Sequence, residues 1–372
     1  MLRLAVCDVL LCRLLRRACG RPLPLVLALA LLSMTPFVPA RAQPASAPAP
    51  AASAASAAAS VPAPVTWRMT TEAPAAGMAG EGLSTFAEEM KARSGGTLLV
   101  APAFEAGVDA RPLPPPAATA ARDARSDGGD IPAEALGQLD PLFQLPSLPF
   151  IATSLESARR LAGLARADYA RALAAQGQHL LYITPWPPTG LWSRAPLASL
   201  ADLRALTVRT ADTISTGLIR AAGARAVELP LADTMPRLRE GSVNAVLCSG
   251  DDGAARKLWR YLPNFTAIGY AMPLSFTTVG NASYAALTPA QREVVDAAAQ
   301  ATEQRQWVRL STRIAENAAQ MMANGVTVRG EAEPGVRAAL RAAASAPVAA
   351  WRARTGRAGG AILDAFAASG GD

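Results

Sequence analysis

The feature that most constrains the fold is the alternation of short apolar segments with amphipathic segments from residue 65 onward. VTWRMTT (65–71), TLLVAPAF (97–104) and HLLYITP (179–185) have the length and composition of largely buried strands. Between the first two, residues 81–96 carry apolar side chains at intervals of three and four, which is the spacing of one helical face. Alternating strands and helices favour parallel sheets. The sequence therefore predicts an α/β fold, and 372 residues suffice for two such units.

The same alternation continues through the middle of the chain. ALTVRT (205–210), AVELPL (226–231) and SVNAVL (242–247) are strand-like, and STGLIRAAG (215–223) is helical. A further short helix is expected to begin at Asp233 as its N-cap and to end at Gly241. The Pro- and Ala-rich stretch 106–120 interrupts the pattern and predicts a long loop.

The longest predicted element is a helix near the C-terminus. Thr288, Pro289 and Gln291 combine an N-cap, a proline in the first turn and the third position of a capping box. Helical character continues to Asn324, and Gly325 is the expected stop. The side chains expected on its apolar face are Trp307, Leu310, Ile314 and Met321. A helix of this length is expected either to kink or to span two domains.

The first 64 residues predict export rather than a folded domain. Arginines precede the apolar run LPLVLALALL (23–32), and ARA (40–42) provides small residues before Gln43. This order is typical of a secretory signal peptide (1–42) cleaved near Ala42, with a membrane anchor as the alternative. The Ala/Pro/Ser-rich segment 43–64 cannot bury a core and is interpreted as a linker.

Charge and cysteine usage narrow the class of protein. Hydrophobic residues make up 51% of the chain, which favours a folded protein. Five of the seven net positive charges lie in residues 1–42, so the remainder is nearly neutral and nucleic acid is rejected as a partner. After cleavage Cys248 is the only cysteine, which excludes an intramolecular disulfide and a cysteine metal cluster.

The sequence contains few of the residue patterns that are typical of catalytic sites. The one histidine, His179, lies in an apolar strand-like segment, and we interpret it as structural. Cys248 has no evident base and is interpreted as a buried small residue. The neighbouring carboxylates Asp251 and Asp252 are interpreted as solvated loop residues. Phosphate-binding, dinucleotide-binding and serine-hydrolase motifs are absent, so no catalytic residue, metal or cofactor is predicted.

A binding cleft is better supported. Trp186 and Trp192 flank a proline-rich turn and could wall an apolar pocket, although core packing is the alternative. Arg209 ends a buried strand, where its planar guanidinium can hold a carboxylate through two hydrogen bonds. The alternative for Arg209 is an internal salt bridge. Ser249 and Gly250 follow another strand and could add hydroxyl and backbone donors.

At this point the segments resemble the DctP family, the extracytoplasmic solute receptors of TRAP transporters. The similarity lies in DPLFQLPSLPFIATSLESARRL (140–161), SLADLRALTVRTAD (199–212), LREGSVNAVLCSG (238–250) and VGNASYAALTPAQREVV (279–295), which occur in the expected order. WPPTGL (186–191) is similar to one branch of the family. The resemblance runs from about Trp67 to Gly325 and places Arg209 on the family's carboxylate-binding arginine.

The resemblance implies a two-lobed periplasmic-binding-protein-like fold, with a hinge and a long helix that spans both lobes. The expected ranges are 65–185 with 275–300 for lobe I, 186–274 with 301–350 for lobe II, and a C-terminal tail at 351–372. It also implies a small carboxylate ligand, TRAP membrane permease subunits as partners, a periplasmic location and hinge closure over the ligand. We expect a monomer.

The ligand itself is less well defined. Trp186, Trp192 and Phe276 suggest an organic acid with an apolar body, either aliphatic or aromatic. The family's Asp-Gly is replaced by Asn244-Ala245, and two common ligand-binding positions carry Leu247 and Cys248. These departures keep open an orphan receptor that senses a carboxylate and signals to a membrane partner. A secreted hydrolase is the more distant alternative.

Overall fold

The computed structural model describes residues 63–106, 126–231 and 233–371. The predicted signal peptide (1–42) lies outside these residues, as does the predicted linker apart from its last two positions. The predicted loop at 106–120 lies outside them beyond Ala106. Within the described ranges, no helix is both long and apolar enough to cross a membrane.

The strands of the described residues form two separate sheets. In chain order they are β1 (Val65–Thr71), β2 (Leu98–Ala103), β3 (Gly128–Pro132), β4 (Gln178–Pro185), β5 (Thr189–Ser193), β6 (Thr207–Thr210), β7 (Arg225–Glu228), β8 (Ala245–Ser249), β9 (Asn264–Ala267), β10 (Leu274–Gly280) and β11 (Thr327–Arg329). One sheet has the order β2-β1-β3-β10-β4 and the other β11-β9-β5-β8-β6-β7. We call the units built on them lobe I and lobe II.

Helices pack against both sheets. They are α1 (Met78–Arg93), α2 (Ala133–Leu136), α3 (Leu155–Ala175), α4 (Leu200–Ala205), α5 (Thr213–Ala221), α6 (Thr234–Glu240), α7 (Gly250–Ala255), α8 (Asn281–Ala285), α9 (Pro289–Ala323), α10 (Pro334–Ala343) and α11 (Ser345–Ala368). Short 3-10 helices lie at Pro141–Ser147 and Leu258–Arg260. In lobe I the strands β1, β2 and β3 are parallel to one another. Strand β10 runs antiparallel to β3 on one side and to β4 on the other.

Most elements predicted from the hydrophobic pattern are present, with shifted ends. The predicted strand 242–247 begins only at Ala245, because residues 241–244 form the turn that follows α6. Gly241 ends α6 in the left-handed conformation, as predicted, with φ 74°. Asp233 precedes the helix but makes no capping hydrogen bond, since its own backbone is already helical. The prediction that Asp233 caps this helix was therefore wrong.

The long helix α9 crosses from one lobe to the other. Thr288 and Gln291 form the predicted capping box. The helix packs on α1 and β4 of lobe I and on α7 and β11 of lobe II, so it spans both units. Trp307 is buried as expected, but Ile314 is 37% exposed. The 3.6-residue repeat moves it off the face that the lobes cover.

A buried polar network joins the lobes beside α9. Asp251, at the start of α7, accepts the backbone N–H of Met78 at 2.9 Å and the side-chain amide of Asn317 at 3.1 Å. Arg313 of α9 pairs with Asp251 and with Glu81 of α1. The N-cap of α1, Gly77, has no side chain, so Asp251 of lobe II supplies the cap that lobe I lacks.

The segment predicted as a C-terminal tail (351–372) is helical as far as Ala368, apart from a kink at Gly356, whose φ is 57°. Helix α11 packs on α3 and on the 3-10 helix Pro141–Ser147, so this segment belongs to the body of the protein. Trp351 is fully buried, and its indole N–H donates to the carbonyl oxygen of Pro141 at 2.6 Å. Ile362, Leu363 and Phe366 join the same core.

Replacing Trp351 with alanine tests whether α11 is an integral part of the fold. Loss of a fully buried indole and of its hydrogen bond should lower the free energy of unfolding by about 3–5 kcal/mol. The matched control is Val308→Ala on α9, because Val308 is 73% exposed and should change the stability by less than about 0.5 kcal/mol. Urea denaturation measures both, and equal stability of the two variants would show that α11 is a dispensable tail.

Candidate functional site

A cavity of about 490 Å³ lies between the two sheets. Thr71 at the end of β1 and Asp130 on β3 reach it from lobe I, and Arg209 on β6 and Ser249 at the end of β8 reach it from lobe II. The carboxyl ends of parallel strands thus converge on one space, which is where ligands of α/β proteins bind. Its volume lies within the range of small-molecule sites.

The cavity wall combines an apolar surface with several charged groups. Of the described residues, six with carboxyl groups and two arginines line it: Glu72, Asp130, Glu134, Asp212, Glu228, Asp252, Arg209 and Arg256. Apolar side chains, among them Trp186, Leu229 and Leu247, form much of the rest of the wall. The carboxyl groups are the part of this composition that the sequence analysis did not expect.

Arg209 is the charged group that sequence analysis singled out, and the structure places it in the cavity wall. It is 4% exposed, and its Nε donates to the carbonyl oxygen of Leu229 at 2.7 Å. Among the described residues its two terminal nitrogens have no hydrogen-bond partner and it has no ion pair. The internal salt bridge considered as an alternative is therefore not formed. Burial lowers the pKa of Arg209, and the neighbouring Cys248 and carboxylates oppose this shift.

Trp186 also lines the cavity, and its orientation is fixed. The indole N–H donates to the hydroxyl of Ser275 at 3.0 Å, and the backbone N–H of Trp186 donates to the carbonyl of Pro273. Ser275 in turn donates to Asp130 Oδ1 at 2.7 Å. The tryptophan is thus tied to the charged wall of lobe I and does not form an isolated apolar surface.

Three of the six predicted binding residues do not line the cavity. Trp192 is fully buried against Phe265 and Gly253 in the core of lobe II. Phe276 is fully buried in the core of lobe I. Gly250 packs against α9, where an added Cβ would contact Met321 at 3.4 Å. All residues of β5 and β10 are buried, so the sequence could not tell which face of either strand points to the cavity.

Ser249 lines the cavity, but its hydroxyl serves another purpose. It caps α7 by accepting the backbone N–H of Asp252 at 3.1 Å. The sequence analysis interpreted Asp251 and Asp252 as solvated loop residues. In the structure they lie in the first turn of a helix. Asp251 is buried in the network between the lobes, and Asp252 faces the cavity. The prediction for this pair was wrong because a capped short helix and a loop share the same composition.

Burial raises the pKa of several cavity carboxyl groups. The pKa of Glu134 rises to about 7 through burial, and the charges of Asp252 and Asp212 add to the shift while Arg209 opposes it. Burial raises the pKa of Asp252 to about 6, and the charge of Asp251 contributes. The pKa of Asp130 also rises to about 6 through burial, against the hydrogen bonds that it accepts. These groups are costly to keep ionised at their buried positions.

Sequence analysis missed several residues of the wall. Asp130 lies in GGDIP, whose glycines and proline are atypical of a strand, and Glu134 lies in the single turn that follows. Arg256 follows α7, and its Nε is buried without a partner. The signal that could have found Asp130 is the pair Gly128-Gly129. An added Cβ at Gly129 would lie 2.3 Å from the carbonyl oxygen of Thr70, so only glycine permits this approach.

The two residues considered for catalysis are placed apart. Cys248 is a free, buried cysteine in the cavity wall, and burial raises the pKa of its thiol. His179 stacks on Tyr284 with ring centroids 3.6 Å apart and does not line the cavity. Within the part of the chain that the structure describes, no cluster of side chains is suited to a metal ion.

Glu134→Gln tests the charge of the cavity through stability. Because the folded state holds the pKa of Glu134 at about 7, above its ordinary value of 4.5, the ionised group destabilises the fold at pH 8. This penalty disappears as the pH falls through 7 towards 4.5. The substitution should therefore raise the free energy of unfolding by about 1–3 kcal/mol at pH 8 and leave it unchanged at pH 4.

Urea denaturation at the two pH values measures the effect. The control is Glu88→Gln, at an exposed position of α1, which should change stability by less than about 0.5 kcal/mol at both. A gain for Glu134→Gln that is the same at pH 4 and pH 8 would contradict the burial of an ionisable group here.

Solved structures of bacterial solute receptors share this architecture. The chain is 27% identical to DctP7, a Bordetella pertussis extracytoplasmic solute receptor binding pyroglutamic acid, over 82% of this chain and 99% of that one, with a TM-score of 0.74. For DctP6 of the same organism, which also binds pyroglutamic acid, the identity is 23%, the coverage 82% and 99%, and the TM-score 0.73.

A more distant structure has the same fold with another ligand. A TRAP periplasmic solute binding protein from Sulfitobacter with bound β-D-galacturonate is 19% identical over 81% of this chain and 99% of that one, with a TM-score of 0.70. No curated protein matches the chain. The sequence profile of the bacterial extracellular solute-binding proteins, family 7 (DctP), matches residues 69–353. This match covers most of the folded chain, and the chain therefore belongs to the DctP family of extracytoplasmic solute receptors.

Proposed function

We propose that the protein captures a small organic acid in the cavity between its lobes and that Arg209 binds the carboxylate of this ligand. The observation that carries the proposal is the state of Arg209: a buried guanidinium in a cavity wall, without an ion pair in the described part of the chain. A buried cation gains most from a partner that arrives with a matching negative charge.

The geometry around Arg209 prepares it for this role. The bond from Nε to Leu229 fixes the plane of the guanidinium, so the terminal nitrogens are held in place before the ligand arrives. Preorganisation of this kind reduces the entropy that is lost on binding. Members of the family are substrate-binding receptors of TRAP transporters, and the captured acid is then released to the membrane permease subunits of such a transporter.

We further propose a receptor without catalytic activity that works as a monomer in the periplasm. The family's extracytoplasmic location supports the compartment. The position of His179 outside the cavity supports binding without catalysis. Trp186 and Ser249 complete the ligand site as wall and helix cap. Trp192, Gly250 and Phe276 act through packing behind it.

The ligand is proposed to be compact and polar. DctP7 binds pyroglutamic acid, a five-membered cyclic acid. The carboxylates in the present cavity suit a ligand of this kind with hydrogen-bond donors. The aromatic acid that the sequence analysis considered is not supported, because two of the three aromatic residues on which it rested lie in the cores.

A thermal-shift screen of the purified protein against small carboxylates tests the role of Arg209. An acid at 100 times its dissociation constant should stabilise the protein by about 2.7 kcal/mol. Arg209→Ala should abolish this shift for every acid, and Arg209→Lys should weaken it, since an ammonium group cannot form the paired hydrogen bonds. The control Arg204→Ala removes an exposed arginine and should leave the shift unchanged. A shift that survives in Arg209→Ala would show that another group binds the carboxylate.

Export has a separate test. We expect the protein purified from the periplasm of an expressing bacterium to begin at Gln43, because cleavage follows the small residues that end at Ala42. Intact-mass measurement shows the start of the chain. Retention of residues 1–42 in the membrane fraction would instead indicate an anchor.

A further inference from the structure

Asp130 is a buried carboxylate that takes no part in the proposed binding of the ligand carboxylate by Arg209. It lies on β3, between β1 and β10, and is 1% exposed. It pairs with Thr71, the last residue of β1, and with Thr277 of β10, and it lines the cavity. Arg209 lines the same cavity from lobe II. The two charged groups thus belong to different lobes and face one space.

The hydrogen bonds around Asp130 have a defined direction. The indole N–H of Trp186 is a donor only, so the hydroxyl oxygen of Ser275 accepts it at 3.0 Å. Ser275 then directs its single hydroxyl hydrogen to Asp130 Oδ1 at 2.7 Å. Thr277 donates to the same oxygen at 3.2 Å. Two hydroxyl groups therefore orient the carboxylate through one of its oxygens.

The hydroxyl groups of Ser275 and Thr277 both donate to Oδ1 of Asp130, and neither donates to its other oxygen, Oδ2. In the described part of the chain Oδ2 accepts no hydrogen bond, and Asp130 has no ion pair with an arginine or lysine. The charge of Glu72, which has the same sign, adds to the rise in the pKa of Asp130 that burial causes. A buried carboxylate without a cation is unfavourable unless a donor completes it. The cavity is the side from which such a donor can come.

We propose that Asp130 accepts a hydrogen bond from an N–H group of the ligand, so that the cavity selects carboxylic acids that carry nitrogen. Arg209 holds the carboxylate end and Asp130 the N–H end. This inference rests on the proposed function, since it assumes that the acid binds in this cavity. The N–H group is either a protonated amine or the neutral N–H of a lactam.

Two features favour nitrogen over a hydroxyl group. An acidic ligand adds a further negative charge to a wall that already holds six carboxyl groups and only two arginines, as far as the structure describes it. A protonated nitrogen offsets that charge, whereas a hydroxyl group does not. A lactam N–H bears no charge, but it is a donor only, whereas a hydroxyl oxygen also brings two acceptor lone pairs to a wall rich in carboxylates. Both nitrogen groups match an acceptor that has no hydrogen of its own.

Three acids with the same five-membered ring provide the test. Proline carries a protonated amine, pyroglutamate a neutral lactam N–H, and cyclopentanecarboxylate no nitrogen. Isothermal titration calorimetry of the purified protein at pH 8, where Asp130 is ionised, gives the dissociation constant of each. We expect at least one nitrogen-bearing acid to bind at least about tenfold more tightly than cyclopentanecarboxylate. Which of the two binds tells whether the nitrogen is charged.

Asp130→Asn tests the contact of Asp130 with the ligand N–H group separately from carboxylate binding by Arg209. Ser275 and Thr277 keep the amide oxygen facing them, so the amide N–H₂ turns to the cavity and opposes a ligand N–H. The preferred nitrogen-bearing acid should lose about tenfold to a hundredfold in affinity, and cyclopentanecarboxylate should change by less than about threefold. The control Glu88→Gln removes an exposed carboxylate of α1 that does not line the cavity, and it should keep the preference for nitrogen.

A second variant addresses the orientation of Asp130. Thr277→Val removes one of the two hydroxyl donors and leaves both the carboxylate and the bond from Trp186 to Ser275 in place, so the preference for the nitrogen-bearing acid should fall while binding of cyclopentanecarboxylate remains. Thermal unfolding without ligand confirms that each variant is folded.

The possible outcomes separate the two proposals. Equal binding of the three acids, or an equal loss of all of them in Asp130→Asn, overturns the role of Asp130 and leaves that of Arg209 intact. Binding of none of the three also overturns it, even if the wider screen finds another acid that depends on Arg209. Binding that is unaffected by Arg209→Ala overturns the proposed function itself.

Discussion

The arrangement of the two lobes depends on the carboxylate of Asp251. It is 3% exposed and accepts hydrogen bonds from the backbone of Met78 in lobe I and from Asn317 of the long helix, beside the guanidinium of Arg313. An ion in such a place is stable only while its partners surround it, because removal of one partner leaves a buried charge unpaired. The partners come from different lobes, so the network holds only when the lobes are close together. The cavity exists in its described form because that condition is met.

The cavity follows a different electrostatic rule from the network beside it. In the network each charge has an internal partner, whereas Arg209 and Asp130 have fewer partners than their burial demands. Burial lowers the pKa of Arg209 and raises that of Asp130 to about 6, because both ionised forms are unfavourable at these buried positions. Buried polar groups with too few partners are typical of ligand sites. A ligand that forms their missing hydrogen bonds gains binding energy from them. Stability and affinity are therefore opposed at these residues.

The sequence predicted the fold, and three of its six candidate binding residues line the cavity, for physical reasons that differ between elements. The helix from Pro289 to Ala323 was predictable because its cap and period are local signals. Arg209 was predictable because a charged residue at the end of an apolar strand is unusual. Trp192 and Phe276 were assigned to the wrong face, since strands that are buried on both sides lose the alternation that identifies a face. Asp130 was missed because its strand forms through contacts with distant strands, which local propensity does not encode.

Arg209 and Asp130 lie on opposite lobes, so their proposed roles would link recognition of the ligand to closure of the lobes. A ligand that satisfies only Arg209 gains the same energy wherever lobe I lies. A ligand that also reaches Asp130 gains its full energy only when the lobes are together, so it favours the arrangement that the Asp251 network stabilises. The difference between the two kinds of ligand is then expressed in how firmly the lobes close as well as in affinity. A receptor with these two contacts would recognise one end of its ligand with each lobe. Neither lobe alone would then be selective for the ligand.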